Sequence, residues 1–267
     1  MTTDQHFLEL RRQPFLTEEY FEKLEKNILG WRIPYHQKEL ADDKTVQTQK
    51  DGTSALAGEY TDLLHLRYTA GEPIAKLAGD MDEVVAAWEE FAKAQRAFKK
   101  HTEAAIFWFS YRIDYLKAVS LLGLAILLRR EDLLGRINGL CHIYRGDDSI
   151  YDELVDPFVP EGKVESDNYK WFHDIPYESA IDAIDSPDPQ EQSQRMCEAV
   201  EDWYAASEGE PYHDTHKDIT DEGNGAYYGY WCFELAALCF IHNIDDTHFR
   251  DHITYPKDLV DYARSKG

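Results

Sequence analysis

YYGYWCFELAALCFIHNIDDTHFRDHITYPKDL, residues 227–259, holds the most apolar run of the C-terminal half. From Ala226 to His242 nearly every position is apolar or aromatic, and the one charge is Glu234. A helix that is apolar all round has no face for solvent, so the run predicts a helix buried at the centre of a larger helical domain. At about 1.5 Å per residue such a helix is roughly 25 Å long, enough to cross a small domain. Asn224-Gly225 offers loop chemistry before it, and Asn243 suits the left-handed residue that ends it. Beyond that point Asp245 or Asp246 is placed to cap a short helix through Phe249 and Arg250. Pro256 fits the first position of a last helix, with Asp258 in its first turn. The expectation is one buried helix followed by a clamp of two short ones.

Working outward, the same helical period recurs along the chain. Thr17 is a candidate cap, followed by Glu18 and Glu19 at the positive end of the helix dipole and by an apolar stripe of Phe21, Leu24, Ile28 and Leu29 ending at Gly30. A polar helix from Ile33 to Lys50, punctuated by Asp51-Gly52, precedes an amphipathic one through Leu56, Tyr60, Leu63, Leu64 and Arg67 that ends at Gly71. Pro73 restarts the chain, and Val84, Val85, Trp88, Phe91 and Phe98 form a stripe running to Lys99-Lys100. Ala104 to Leu128 reads as a long second organising helix in which Gly123 permits close approach or a bend. Further helices are expected over Asp132 to Tyr144, over Tyr177 to Ile184, and after Ser186-Pro187-Asp188-Pro189 through Met196, Val200, Trp203 and Tyr204. Strand alternation is absent throughout, so the fold class is all-α: a bundle of long antiparallel helices around the buried C-terminal one.

Charge divides the chain. Residues 1–130 carry 20 acidic and 18 basic side chains, a balance of −2, whereas residues 131–267 carry 31 and 10, a balance of −21. We therefore expect an N-terminal helical region over 1–130 and an acidic C-terminal helical region over 131–267. A polyanionic surface repels nucleic acid and attracts a basic protein. Its densest carboxylates are Asp147, Asp148, Asp152 and Glu153, and then Glu208, Glu210, Asp214, Asp218, Asp221 and Glu222 in a long polar loop before the central run. Loops of that length are usually functional or disordered. The basic cluster Lys93, Arg96, Lys99 and Lys100 reads as a solvated helix face rather than a nucleic-acid site.

The residues Gly229-Tyr230-Trp231, Glu234 and Ala236-Ala237, then Ile244-Asp245-Asp246, then Tyr255-Pro256-Lys257-Asp258-Leu259 resemble the C-terminal signature of the PoNi family. These are bacterial immunity proteins that neutralise PoNe-type nuclease toxins delivered by type VI secretion. Upstream the resemblance rests on a helical region of similar length and aromatic content. It implies an all-helical binding protein rather than an enzyme, with a nuclease as partner. It implies no cofactor, and it leaves the individual toxin and the oligomeric state open.

Asp147-Asp148 with Asp152-Glu153, and Asp245-Asp246 as a second motif, resemble the aspartate-rich magnesium sites of isoprenoid synthases, but this half has few basic residues to neutralise a diphosphate. His213-Asp214 with His216 suggests a metal site, yet it falls in a loop and lacks assignable further ligands. His242, His248 and His252 read as capping or packing residues. Neither a Gly-x-Ser-x-Gly elbow nor a phosphate-cradling glycine loop is present, and His142 beside Cys141 points elsewhere on a helix. Cys141, Cys197, Cys232 and Cys239 lack CxxC spacing and read as reduced core residues of a cytoplasmic protein, in keeping with an N-terminus unlike a signal peptide. Arg112, Asp114 and Lys117 interrupt the most apolar long segment, which argues against a membrane span. Glu234 must be paired or neutral if it is buried, and we expect a structural anchor to an arginine or tyrosine.

Overall fold

A computed structural model of the chain describes residues 3–164, 169–220 and 223–266. The fold is all-α, with no strand among the described residues. The chain forms two compact units, each drawn from two stretches of sequence. Unit 1 comprises residues 1–106 and 214–229, and unit 2 comprises 107–213 and 230–267. The division expected at residue 130 from the charge step falls inside unit 2, because the helix just before it packs on the C-terminal core. Regrouped by unit, the formal charges are −8 and −15, so the acidic excess is spread more evenly than the chain halves suggest.

In unit 1, α1 (Thr3–Leu10) precedes α2 (Glu18–Asn27), whose cap is Thr17, its hydroxyl accepting from the Tyr20 N–H at 3.3 Å. The helix does not stop at Gly30. A wider turn, in which the Ile33 N–H reaches five residues back to the Ile28 carbonyl, carries it into α3 (Ile33–Asp42). Thr45 then caps α4 (Val46–Ala70), which runs straight through Asp51-Gly52. Gly52 is a packing notch rather than a turn: a Cβ there would lie 2.9 Å from the Leu40 side chain of α3. After left-handed Gly71, α5 (Ile74–Lys99) folds back along α4 with a buried bond from Trp88 Nε1 to Thr61 Oγ1 at 3.0 Å. Residues 214–229 return to this unit. The Tyr227 N–H donates to the Tyr20 hydroxyl at 3.0 Å, its own hydroxyl bonds Gln13, and the Thr69 hydroxyl donates to the Tyr228 carbonyl at 2.6 Å.

Unit 2 is built on α6 (Arg112–Leu127), which starts later than its apolar composition predicts, because residues 104–111 form irregular turns. α7 (Leu134–Cys141) and α8 (Ser149–Val155) follow, then the hairpin of α9 (Asp174–Asp185) and α10 (Pro189–Ala205), the latter capped by Asp188. α11 (Phe233–Ile241) and α12 (Lys257–Ser265) complete it. The central helix is thus nine residues long and not the whole apolar run. Tyr227 and Tyr228 are bound into unit 1, Gly229 takes φ 112°, and the Cys232 N–H bonds the Thr254 carbonyl at 3.0 Å instead of continuing a helix. From Phe233 to Cys239 every residue of α11 is buried, as are nearly all of α6 from Tyr115 onward.

Candidate functional site

The C-terminal signature residues hold unit 2 together. Tyr230 and Trp231 are buried, and Tyr230 meets Tyr204 of α10 edge-on at 4.8 Å. Left-handed Asn243 ends α11, and the Ile244 N–H returns to the Cys239 carbonyl at 3.0 Å. Asp245 is exposed and folds a turn onto Thr247, whereas Asp246 is buried and gathers the clamp. It accepts from the Tyr255 hydroxyl at 3.1 Å, Arg264 at 2.9 Å and Arg250 at 3.4 Å. Only one turn, not a full helix, forms at Phe249 and Arg250. Pro256 caps α12 from just outside it, Asp258 sits in its first turn, and Leu259 is fully buried.

Glu234 is completely buried at the start of α11. Its Oε1 accepts from the Tyr177 hydroxyl of α9 at 2.9 Å and from Trp203 Nε1 of α10 at 2.6 Å. Burial pushes its carboxyl up to about 7, against the two donors that favour the charged form. The anchor joins three helices of unit 2, and its partners carry no charge. Tyr177 is the tyrosine partner expected from the sequence, whereas Trp203 is marked there only by its helical spacing.

The acidic candidates separate into inward and outward groups. Asp148 is wholly buried, which corrects its assignment to a partner-facing surface. Its Oδ1 accepts from the Tyr151 N–H at 2.9 Å, capping α8, and from the Tyr115 hydroxyl of α6 at 3.0 Å; its Oδ2 accepts from the Phe172 N–H at 3.1 Å. Burial holds its carboxyl up at about 6. Asp152 turns back to the Gly146 N–H at 2.9 Å and pairs with the buried Arg145 side chain at 3.5 Å. Glu153 pairs with His242, just past the end of α11, at 3.0 Å. Asp147 is exposed beside Lys170, 3.4 Å away. In the loop, Glu208 and Glu210 belong to unit 2, while Asp214, paired with Lys217, and exposed Asp218 belong to unit 1. Asp221 and Glu222 lie outside the described residues.

These placements bear on the metal readings. Asp148 spends both oxygens on backbone and side-chain donors of its own unit, and Asp152 gives one to the Gly146 N–H and sets the other beside Arg145. His213 stacks on Tyr204 at 4.4 Å and bonds Ser207 in unit 2, whereas His216 stacks on Phe15 at 4.3 Å in unit 1. Among the described residues no three His, Cys, Asp or Glu side chains converge as a metal-binding set. Nor is any described helix long and apolar enough to cross a membrane.

Because Asp148 works inside the fold, its removal acts on stability. Asp148→Ala is expected to cost about 2 kcal/mol through one lost helix cap and buried donors left unpaired. Urea unfolding measures that loss.

Residues 12–137 match the family model described as PoNe immunity protein (PoNi), N-terminal, and residues 148–259 match the one described as PoNe immunity proteins (PoNi), C-terminal. No curated protein matches the chain. Among solved structures it is similar to the crystal structure of protein PA2201 from Pseudomonas aeruginosa, with a TM-score of 0.70 and 19% identity over 96% of this chain and 92% of that one. At that identity the likeness bears on the fold alone.

Proposed function

This chain belongs to the PoNi family of immunity proteins, and we propose that it protects its cell by stoichiometric binding of a cognate PoNe-type DNase delivered by type VI secretion. Immunity proteins of this family are inhibitors, not enzymes. The observation that carries the reading is the pair of family matches, which together span most of both units. Charge supports it: a nuclease must hold phosphates on a basic surface, and unit 2 brings a formal balance of −15 to meet it. In this reading the protein works in the cytoplasm, touches neither nucleic acid nor membrane, and stops the toxin by denying DNA its approach. Covering the toxin's catalytic residues is not required.

Outward carboxylates steer the encounter, and a central patch then holds the complex. With a Debye length of about 8 Å at physiological salt, steering fades as salt rises. Co-expression with the toxic domain encoded beside this chain is expected to restore growth and yield a one-to-one complex that weakens with salt. Reversing Asp147, Glu153, Glu208, Glu210 and Asp218 together should slow association about tenfold or more at low salt. An unchanged affinity and salt dependence would remove steering by these residues from the account.

A further inference from the structure

Unit 2 exposes large apolar side chains on two stretches that the fold brings together. Trp108 and Tyr111, 44% and 57% exposed, stack with ring centroids 5.7 Å apart in the turns before α6. Phe172 and Ile175, 38% and 57% exposed, lie in the segment entering α9. Short contacts join the two stretches: Arg112 Nη1 donates to the Ile175 carbonyl at 3.0 Å, and His173 Nε2 lies 2.9 Å from the Phe109 carbonyl. Buried Phe109 meets Phe172 edge-on at 5.7 Å from beneath. Ile175 is extended (φ −97°, ψ 126°) before the regular turns of α9 begin, which sets its side chain outward. Scattered exposed apolar residues need no explanation, but four large apolar side chains exposed on two stretches that the fold joins, a shelf on a helical protein, do.

Beside the shelf, α9 displays Asp174, Glu178, Asp182 and Asp185, all exposed, and contains no lysine or arginine. Glu178, Asp182 and Asp185 recur at helical spacing and form one stripe. With Asp188 and α10 included, residues 174–205 carry nine carboxylates and one basic residue, Arg195. Like charges four residues apart on a helix repel, so this stripe weakens the free protein slightly and gains when a cation faces it. Tyrosine and tryptophan anchors ringed by charge have the composition of interface hot spots. The charge also selects the occupant. Nucleic acid is repelled, and a second copy of the chain would set one acidic stripe against another.

We propose that the shelf of Trp108, Tyr111, Phe172 and Ile175, with the carboxylate stripe of α9, is the surface that seats the arginine- and lysine-lined DNA groove of the toxin. This rests on the immunity reading above and supplies the contact surface it lacks. The stripe aligns with phosphate-binding side chains, and the shelf excludes water at the centre.

The test is surface plasmon resonance of the full chain against a catalytically inactive form of the nuclease domain encoded beside it. Glu178→Lys with Asp182→Lys is expected to slow association at least tenfold at low salt without lowering the melting temperature, since it relieves repulsion on α9. Tyr111→Ala with Ile175→Ser is expected to speed dissociation at least tenfold. Trp31→Ala with Tyr35→Ala, an exposed stacked pair in unit 1, is the control and should change neither rate more than threefold. Should the parent chain bind and both unit 2 variants behave like the control, the surface is misplaced while the immunity reading stands. A parent chain that neither binds nor protects overturns both.

Discussion

Replacing Gly123 with alanine is expected to lower the stability of unit 2 by about 3 kcal/mol and its melting temperature by about 10 °C. Gly123 lies in the middle of α6 where that helix crosses the start of α11. A Cβ built there would come within 2.6 Å of the Phe233 carbonyl carbon and oxygen and 2.8 Å of the Glu234 nitrogen. These are backbone atoms, so no rotamer change relieves the overlap. Either the two helices separate, exposing the most apolar contact in the unit, or α11 moves and takes Glu234 away from Tyr177 and Trp203. Gly135→Ala is the control, since a Cβ on exposed Gly135 of α7 meets nothing within 4 Å. It should be neutral or stabilising by about 0.5 kcal/mol through helix propensity alone. Thermal unfolding followed by circular dichroism separates the two. Equal melting temperatures for Gly123→Ala and the parent would mean that α6 and α11 do not approach so closely.

Gly123 also marks the limit of what the amino-acid sequence discloses. A glycine inside an apolar helix signals close approach, but the helix that approaches lies more than a hundred positions away and has no local mark. Signals that act within a few residues were legible. Thr17 caps where its side chain can reach the next turn, Ser186-Pro187-Asp188-Pro189 introduces α10, Gly71 and Asn243 end helices in the left-handed conformation, and Pro73 precedes a new one. Signals that tertiary packing can override were not. Asp51-Gly52 reads as a turn and stays helical because Leu40 fills the notch, and Tyr227 to Cys232 reads as helix but is divided between two units. Asp148 shows the same for the candidate site. Its neighbours in sequence are acidic and exposed or half-buried, yet it points inward, because its backbone and tyrosine donors sit on α8, on α6 and before α9. The exposed shelf was illegible for the converse reason. Periodicity marks Trp108 and Tyr111 as core residues of a long helix, and only the irregular turn over 104–111 turns them outward.

Glu234 yields the second large effect, and pH exposes it. In the native protein its carboxyl titrates at about 7, in the unfolded chain near 4.5. Between those values the native state keeps a proton that the unfolded state has released, so stability falls as pH rises through this window and levels off above about 7. The whole change is on the order of 3 kcal/mol, from about 1.4 kcal/mol for each unit of displacement. Asp148, near 6 by burial, adds a fall of the same sign at lower pH. His65 in unit 1 opposes it: burial lowers its titration to about 4, so its contribution rises with pH up to about 6.5. Glu234→Gln isolates the one group. Glutamine keeps an acceptor for Tyr177 and Trp203, and its amide takes the place of Oε2, which makes no hydrogen bond. The variant should exceed the parent in stability by less than about 1 kcal/mol at pH 5 and by about 3 kcal/mol at pH 8, read from urea unfolding at both values. A difference that stays constant from pH 5 to 8 would show that Glu234 does not titrate there. Toxin binding should survive the substitution, because the carboxylate ties α9 and α10 to α11 from inside and never reaches the surface; a Glu234→Gln protein that is more stable yet fails to protect would instead place the charge itself in the inhibitory mechanism.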